Sequence, residues 1–209
     1  MGKGILVAVD SHSEWLLAGW WAAYSRHNTY PVAFVNCGMS KKGLAWTQEK
    51  GAVIQPSFGS KKGPTKPQIL QLSPFAETIW MELNCEVQSD LSCLFAELTG
   101  NEEMGLCLER DDKGMVFNSG VIVFKQNPAL LSLWAEKSLG SYHLDKHFFA
   151  SILGTEESRL RELKPIYNWI PTWAPILQLL FSIGRSKQGS YSLTLLKSVS
   201  ILFNTISNK

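Results

Sequence analysis

Four cysteines in 209 residues, none in a Cys-x-x-Cys pair, provide neither a disulfide framework nor a zinc-ribbon pattern. Cys37, Cys85, Cys93 and Cys107 lie scattered in apolar runs and read as reduced core thiols of a cytosolic protein. Charge is scarce as well. Charged residues make up 18% of the chain and the net charge is +2, so there is no electrostatic footprint of a nucleic-acid binder. No window reaches the roughly eighteen uninterrupted apolar residues that a membrane span needs. The apolar part of residues 1–10 is too short for a signal peptide, and no cleavage-site pattern follows it. Gly-x-Gly-x-x-Gly, the phosphate-loop Gly-x-x-x-x-Gly-Lys-[Ser/Thr] and the Gly-x-Ser-x-Gly elbow are all missing, which leaves dinucleotide-binding, P-loop and serine-hydrolase readings without support. Four scattered histidines carry no argument for a triad, and there is no internal repeat or low-complexity stretch.

What is there is a globular chain, 45% hydrophobic and long enough for one domain with a sizeable core. Ile5 to Val9 reads as a strand, and Ser13 as the N-cap of a helix running to about Arg26. Pro31 to Val35 is a second strand, and Ser40 caps a helix that Gly51 stops. Short strands are expected at Ala52–Ile54 and Ile79–Met81, with a helix over Pro67–Leu72 between them. A short helix starts at Ser89-Asp90 and runs through Phe95. Strands follow at Met104–Leu108 and Gly120–Phe124, then a helix over Pro128–Leu139 with Pro in its first turn. This alternation argues for an α/β fold, a mostly parallel central sheet flanked by helices. Residues 1–170 would form that domain and residues 171–209 a C-terminal apolar helical tail. Of the eight tryptophans, Trp20 and Trp21 are adjacent and should not share one core, so one is expected at a groove or interface.

The stretch Thr78-Ile-Trp-Met-Glu82-Leu83-Asn84-Cys85-Glu86 carries the most chemistry. A β-branched and aromatic run ending in acidic and amide side chains reads as a buried strand with oxygen ligands at its C-terminal tip, where open α/β sheets keep their ligand sites. On an extended strand Glu82 and Asn84, spaced i, i+2, share one side and could face one hard cation such as Mg²⁺ or Mn²⁺. The plainer alternative is a solvated turn. His143 and His147, with Asp145 between them, could clamp zinc on a helix, but a surface pair is the simpler reading. The Gly-, Ser-, Lys- and Pro-rich loop from Pro56 to Lys66 is either a solvated surface loop or a basic lid over a phosphate-bearing ligand. In the tail, Leu195, Val199, Leu202 and Ile206 mark an amphipathic helix, either docked on the domain or lying peripherally on a membrane.

The order of motifs resembles a known family. Ile5-Leu-Val-Ala-Val-Asp10 is followed by Glu14-Trp15-Leu16, Tyr24-Ser25-Arg26-His27 and Pro31-Val32-Ala33-Phe34. Then come Gly38-Met39-Ser40, Leu44, Trp46, Lys66-Pro67, Ser73-Pro74-Phe75, the Trp80–Glu86 strand and Phe117-Asn118-Ser119-Gly120-Val121. Together, over residues 4 to 170, they are similar to nucleotide-sugar glycosyltransferases of the A-type fold, in particular the retaining family-eight-like transferases.

The resemblance implies transfer of a sugar, with retention, from a nucleotide-diphosphate sugar to a glycan, lipid or protein acceptor. It implies Asp10 at the base and ribose, Lys66 reaching the donor, and Asn118 and Gly120 at the donor sugar. It also puts Asp145 near the transferring sugar and Gly184 and Lys187 on the diphosphate. The expected site is cytoplasmic, with peripheral contact at the inner membrane face if the tail binds lipid. Departures accompany these matches. Where the family carries Asp-x-Asp this chain reads Glu82-Leu83-Asn84, and its metal-binding histidine is replaced by Phe181. A Mn²⁺ or Mg²⁺ site at Glu82 and Asn84 is therefore weakened. Glu86 could help to hold the metal, Arg185 and Lys187 could stand in for it, or the chain could be a pseudoenzyme that binds without turnover.

Overall fold

The computed structural model describes residues 2–57, 64–111, 114–138 and 159–168. A continuous apolar run explains the first strand, β1 (Lys3–Val9), in which Ile5, Leu6 and Val7 have no exposed surface. Such a strand is covered on both faces. Ile5, Val7 and Val9 point into one hydrophobic cluster with Trp20 and Tyr24 of α1 (Leu17–His27). Leu6 points the other way, into a cluster with Ile69 and Leu70 of α3 (Lys66–Leu70) and Leu130, Leu131 and Trp134 of α5 (Ala129–Lys137). Each fully buried aliphatic or aromatic side chain contributes about 1.5–3 kcal/mol, so the two-period of the strands is what holds helices on both faces.

The remaining elements are β2 (Val32–Asn36), α2 (Lys41–Lys50), β3 (Ala52–Ile54), β4 (Glu77–Met81), α4 (Ser92–Phe95), β5 (Met104–Asp111), β6 (Gly114–Lys125) and β7 (Leu160–Leu163). The sheet order is β3-β2-β1-β4-β6-β5-β7. β1 pairs in parallel with β2 and β4, β2 with β3, and β5 with β7. β6 runs antiparallel to both neighbours, β4 and β5. The expected α/β architecture with a mostly parallel sheet is therefore observed. β7, which the sequence reading did not anticipate, is anchored through the ion pair of Arg159 with Glu103 and by the Glu103 N–H donating to the Arg159 carbonyl (2.8 Å).

Several expectations change in detail. The strand expected at Gly120–Phe124 starts at Gly114, because it forms a hairpin with β5. Pro128 stands before α5 as its extended N-cap and not within the first turn. Trp20 and Trp21 do serve one core: Trp20 stacks on Tyr24 (5.1 Å between centroids), while Trp21 meets Trp46 of α2 edge-on (6.2 Å). Of the four free cysteines only Cys107 is buried and Cys93 is exposed, so the core-thiol reading fails for Cys93. The tail, the helix pair of His143 and His147, and residues 58–63 of the loop lie outside the described residues.

Two loops bring the ends of β1 and β2 together. Asp10 Oδ1 accepts from the Ser13 hydroxyl (2.7 Å) and from the amides of Ser13 (2.8 Å) and His12 (3.0 Å). Ser13 therefore spends its hydroxyl on Asp10 and does not cap the 3₁₀ turn Glu14–Leu16 that leads into α1. After β2, Asn36 Oδ1 accepts from the amides of Gly38 (3.0 Å) and Met39 (2.8 Å), a turn that Gly38 enters with φ of 110°. The Ser11 amide then donates to the Gly38 carbonyl (3.0 Å), tying one loop to the other. Glu14 completes the tie by accepting from the Ser40 amide (2.8 Å) and hydroxyl (2.6 Å) at the head of α2. At the far end of α2, a Cβ on Gly51 would lie 2.2 Å from the Val32 carbonyl oxygen.

Replacing Gly51 with Ala should cost about 1–3 kcal/mol, read as a lower denaturant midpoint with an unchanged m-value. Burial raises the Asp10 carboxyl, but the hydrogen bonds from Ser13 and His12 outweigh it and hold the group below its ordinary value of 3.8. Its contribution is therefore full above that value and is lost as pH falls through the lower folded value. Asp10→Ala should destabilise the chain by about 1–2 kcal/mol at pH 7. That difference should shrink in urea titrations repeated in the acid range.

Candidate functional site

The C-terminal ends of β1 and β4 open into a cleft of about 370 Å³. Ala8, Ser13, Leu16, Lys66, Ile69, Trp80, Glu82, Leu83 and Asn84 line it. Strand ends in an open sheet leave backbone and side-chain groups pointing past the last ladder bond, and this is where a ligand can reach them. β4 stops at Met81, and Glu82 to Asn84 form a turn closed by the Cys85 amide on the Glu82 carbonyl (3.0 Å). The extended i, i+2 geometry expected for Glu82 and Asn84 is thus corrected. A turn, with Leu83 buried between them, brings both residues to the cleft. Glu86 is exposed and is not among the residues lining the cleft.

β6 lies beside the cleft and is joined to it through Lys66. Its ladder with β5 pairs Leu106 with Ile122 and Cys107 with Asn118, so three residues, Ser119 to Val121, are surplus at that point. A bulge of this kind re-aims side chains and loosens pairing locally. Here it frees the Ser119 carbonyl, which accepts from the Trp80 indole (3.1 Å), and the Gly120 carbonyl, which accepts from the Glu82 amide (3.0 Å). Asn118 Oδ1 accepts from the Gly120 amide (2.8 Å) and holds the bulge in shape. The Asn168 carboxamide approaches the same glycine: a Cβ there would lie 3.1 Å from Asn118 Oδ1 and 3.4 Å from Asn168 Nδ2. Asn168 Nδ2 is buried and has no hydrogen-bond partner. Sequence reasoning missed Asn168 altogether, since a lone Asn after a short strand carries no spacing signal.

Lys66 enters from the start of α3, where the Thr65 amide donates to Gln68 Oε1 (2.9 Å) and Pro67, Ile69 and Leu70 are buried. Its ammonium donates to Glu82 Oε1 (2.6 Å), Ser119 Oγ (2.8 Å) and the Ser119 carbonyl (3.3 Å). It also lies 6.0 Å from the centre of the Trp80 ring. The pair is only partly sheltered, so its Coulomb energy is reduced by water. Cys85, next to the turn, is a poor nucleophile: burial first, and then the Glu82 charge, push its thiol up to about 11.

The structure therefore gathers Lys66, Glu82 and Asn84 around one cleft, with Asn118 and Gly120 on the neighbouring bulge. Asp10 follows directly on β1, and the three hydrogen bonds it accepts from its own turn all go to Oδ1. Asp145, Phe181, Gly184 and Lys187 lie outside the described residues. Among the described residues no group of three or more His, Cys, Asp or Glu could hold a metal ion, and Glu82 is the sole acid lining the cleft. That acid is already paired with an ammonium. A divalent ion on Glu82 would also meet the Lys66 charge, which offsets the attraction of the carboxylate. The donor set on these residues does not fit Mn²⁺ or Mg²⁺.

No family model matches the sequence, and no curated protein matches it. Solved structures do match in shape. The glycosyltransferase GlyE of Streptococcus pneumoniae TIGR4 aligns with a TM-score of 0.63 at 14% identity, over 89% of this chain and 52% of its own. The galactosyltransferase LgtC, solved with donor and acceptor sugar analogs, aligns at 0.55 and 14% identity, over 90% of this chain and 80% of its own. The mannosyltransferase PcManGT of Pyrobaculum calidifontis, solved with GDP-Man and Mn²⁺, aligns at 0.50 and 12% identity, over 77% of this chain and 54% of its own. The chain spans about half the length of GlyE. At these identities the likeness speaks for shape: the chain has the A-type fold of nucleotide-sugar glycosyltransferases.

Proposed function

We propose that this chain is a glycosyltransferase that binds a nucleotide-diphosphate sugar in the cleft at the ends of β1 and β4 and passes the sugar to an acceptor. The observation that carries the reading is the convergence of Lys66, Glu82 and Asn84 on one cleft of an A-type fold, with Ser119 of the neighbouring β6 bulge accepting from the Lys66 ammonium. In this reading the base and ribose lie against the Asp10 turn and the diphosphate against Lys66. The sugar lies along Asn118 and Gly120 on the β6 bulge. Departure of the sugar leaves negative charge on the diphosphate oxygens, and a fixed ammonium stabilises that charge more than it stabilises the bound donor. Asp145 near the sugar and Gly184 and Lys187 on the diphosphate complete the assignment by resemblance, as do retention at the anomeric carbon and a glycan, lipid or protein acceptor.

Residues 1–170 would carry this activity and residues 171–209 would pack on the domain or rest on a membrane surface, in a cytoplasmic protein. No described helix is long and apolar enough to cross a membrane. A second reading, a module that binds nucleotide sugar without turnover, is favoured by one feature: the one acid lining the cleft among the described residues is occupied by Lys66.

A thermal-shift screen of nucleotide sugars, followed by mass spectrometry of the products, separates the two. At saturating ligand at least one donor should raise the melting temperature by about 5 °C or more and release free sugar and nucleoside diphosphate. A shift without release leaves the binding module. No shift with any donor overturns both.

A further inference from the structure

We infer that the ammonium of Lys66 is the cation of this site: the cleft holds the diphosphate of its ligand on a tethered lysine, without a divalent metal. The ligand in this statement rests on the nucleotide-sugar reading above.

Three observations support it. The ammonium has three N–H donors and three acceptors in reach, Glu82 Oε1 at 2.6 Å, Ser119 Oγ at 2.8 Å and the Ser119 carbonyl at 3.3 Å. It is therefore held at one place in the wall of the cleft and does not wave in solvent. Its position is set from both sides, because the buried Pro67, Ile69 and Leu70 fix the start of α3 and the β6 bulge fixes Ser119.

The second observation is the donor set. A hard divalent ion at a phosphate site is held by one or two carboxylates free to bind it, together with ligand phosphates and water. Among the described residues the lining provides one carboxylate, Glu82, which already carries the Lys66 ammonium at 2.6 Å, and one neutral carboxamide, Asn84. The formal charge of Lys66 and Glu82 together is zero, so the pair offers a divalent ion no net attraction. Asn84 then has a consistent role: a second carboxylate at that position would outnumber the single ammonium, whereas an amide keeps the pair balanced.

The third is geometry toward a ligand. The contact to the Ser119 carbonyl is the longest of the three and the easiest to exchange. A phosphate oxygen entering the cleft can take that donor while Glu82 and Ser119 Oγ keep the ammonium in place. Lysine serves phosphate as a point charge, so a single N–H suffices.

The test uses the full chain with MnCl₂ alone, followed by UDP, GDP, ADP, CDP and dTDP in EDTA or in MnCl₂. Electron paramagnetic resonance reads free Mn²⁺, and calorimetry reads nucleotide affinity. Wild type should leave Mn²⁺ free up to about 1 mM, and its best nucleotide should bind equally, within about twofold, in EDTA and in Mn²⁺. Lys66→Met should weaken that binding at least about tenfold in EDTA, while Lys66→Arg, which keeps the charge, should stay within about threefold. Stoichiometric Mn²⁺ uptake that Glu82→Gln removes, or a tenfold tightening of nucleotide by Mn²⁺, overturns the inference and leaves the nucleotide-sugar reading standing. Failure to bind any of the five nucleotides in either condition overturns that reading, and the lysine's proposed ligand with it.

Discussion

Everything at the cleft depends on how β4 is gripped. It pairs in parallel with β1 through Ile5–Ile79 and Leu6–Trp80, and antiparallel with β6 through Trp80–Ile122 and Met81–Val121. A strand bonded along both edges cannot slide by one residue without turning its side chains to the wrong face. That double constraint fixes where Met81 ends and where the Glu82–Asn84 turn begins. It also points the Trp80 indole at the Ser119 carbonyl and so brings β6 within reach of Lys66. The antiparallel placement of β6 matters here: reversed against its neighbours, it presents the middle of a strand, and not a crossover loop, to the ends of β1 and β4.

The order of elements was legible because local rules and burial agree there. Short continuous apolar runs such as Ile5–Val9 and Val32–Val35 fit strands covered on two faces, and Ser40 caps α2, which ends at Gly51. The strand end at Met81 located Glu82 and Asn84, whereas Lys66 and Asn118 came from the resemblance to the transferase family. What remained hidden is tertiary. Nothing local distinguishes a five-residue strand beginning at Gly120 from a twelve-residue one beginning at Gly114, because the extra half is stabilised only by its partner β5. β7 was invisible for the same reason, as its apolar residues Leu160 and Leu163 enclose the charged pair Arg161 and Glu162.

The site shows the same division. Residue types announced oxygen ligands at a strand tip, but the pairing of Glu82 with Lys66 joins positions sixteen apart in sequence and follows only from the fold. A carboxylate read alone suggests a metal ligand. Read together with an ammonium at 2.6 Å it is one half of a neutral pair, and the chemistry available to the cleft changes accordingly. Trp21 gives a parallel case in the core. Adjacent tryptophans suggest one exposed ring, yet α1 sits so close to α2 that Trp46 covers the second ring from the side.

The surplus of three residues at Ser119–Val121 has a consequence for how such a chain can vary in length. An odd insertion or deletion there would exchange the two faces of β6 on one side of the bulge, sending Ile122 and Phe124 toward the cluster that now holds Val121 and Val123. The permissible changes are therefore pairs of residues, or point substitutions that preserve the count. The irregularity in the middle of β6 works as a length standard, coupling the position of the Asn118 carboxamide to the phase of the sheet.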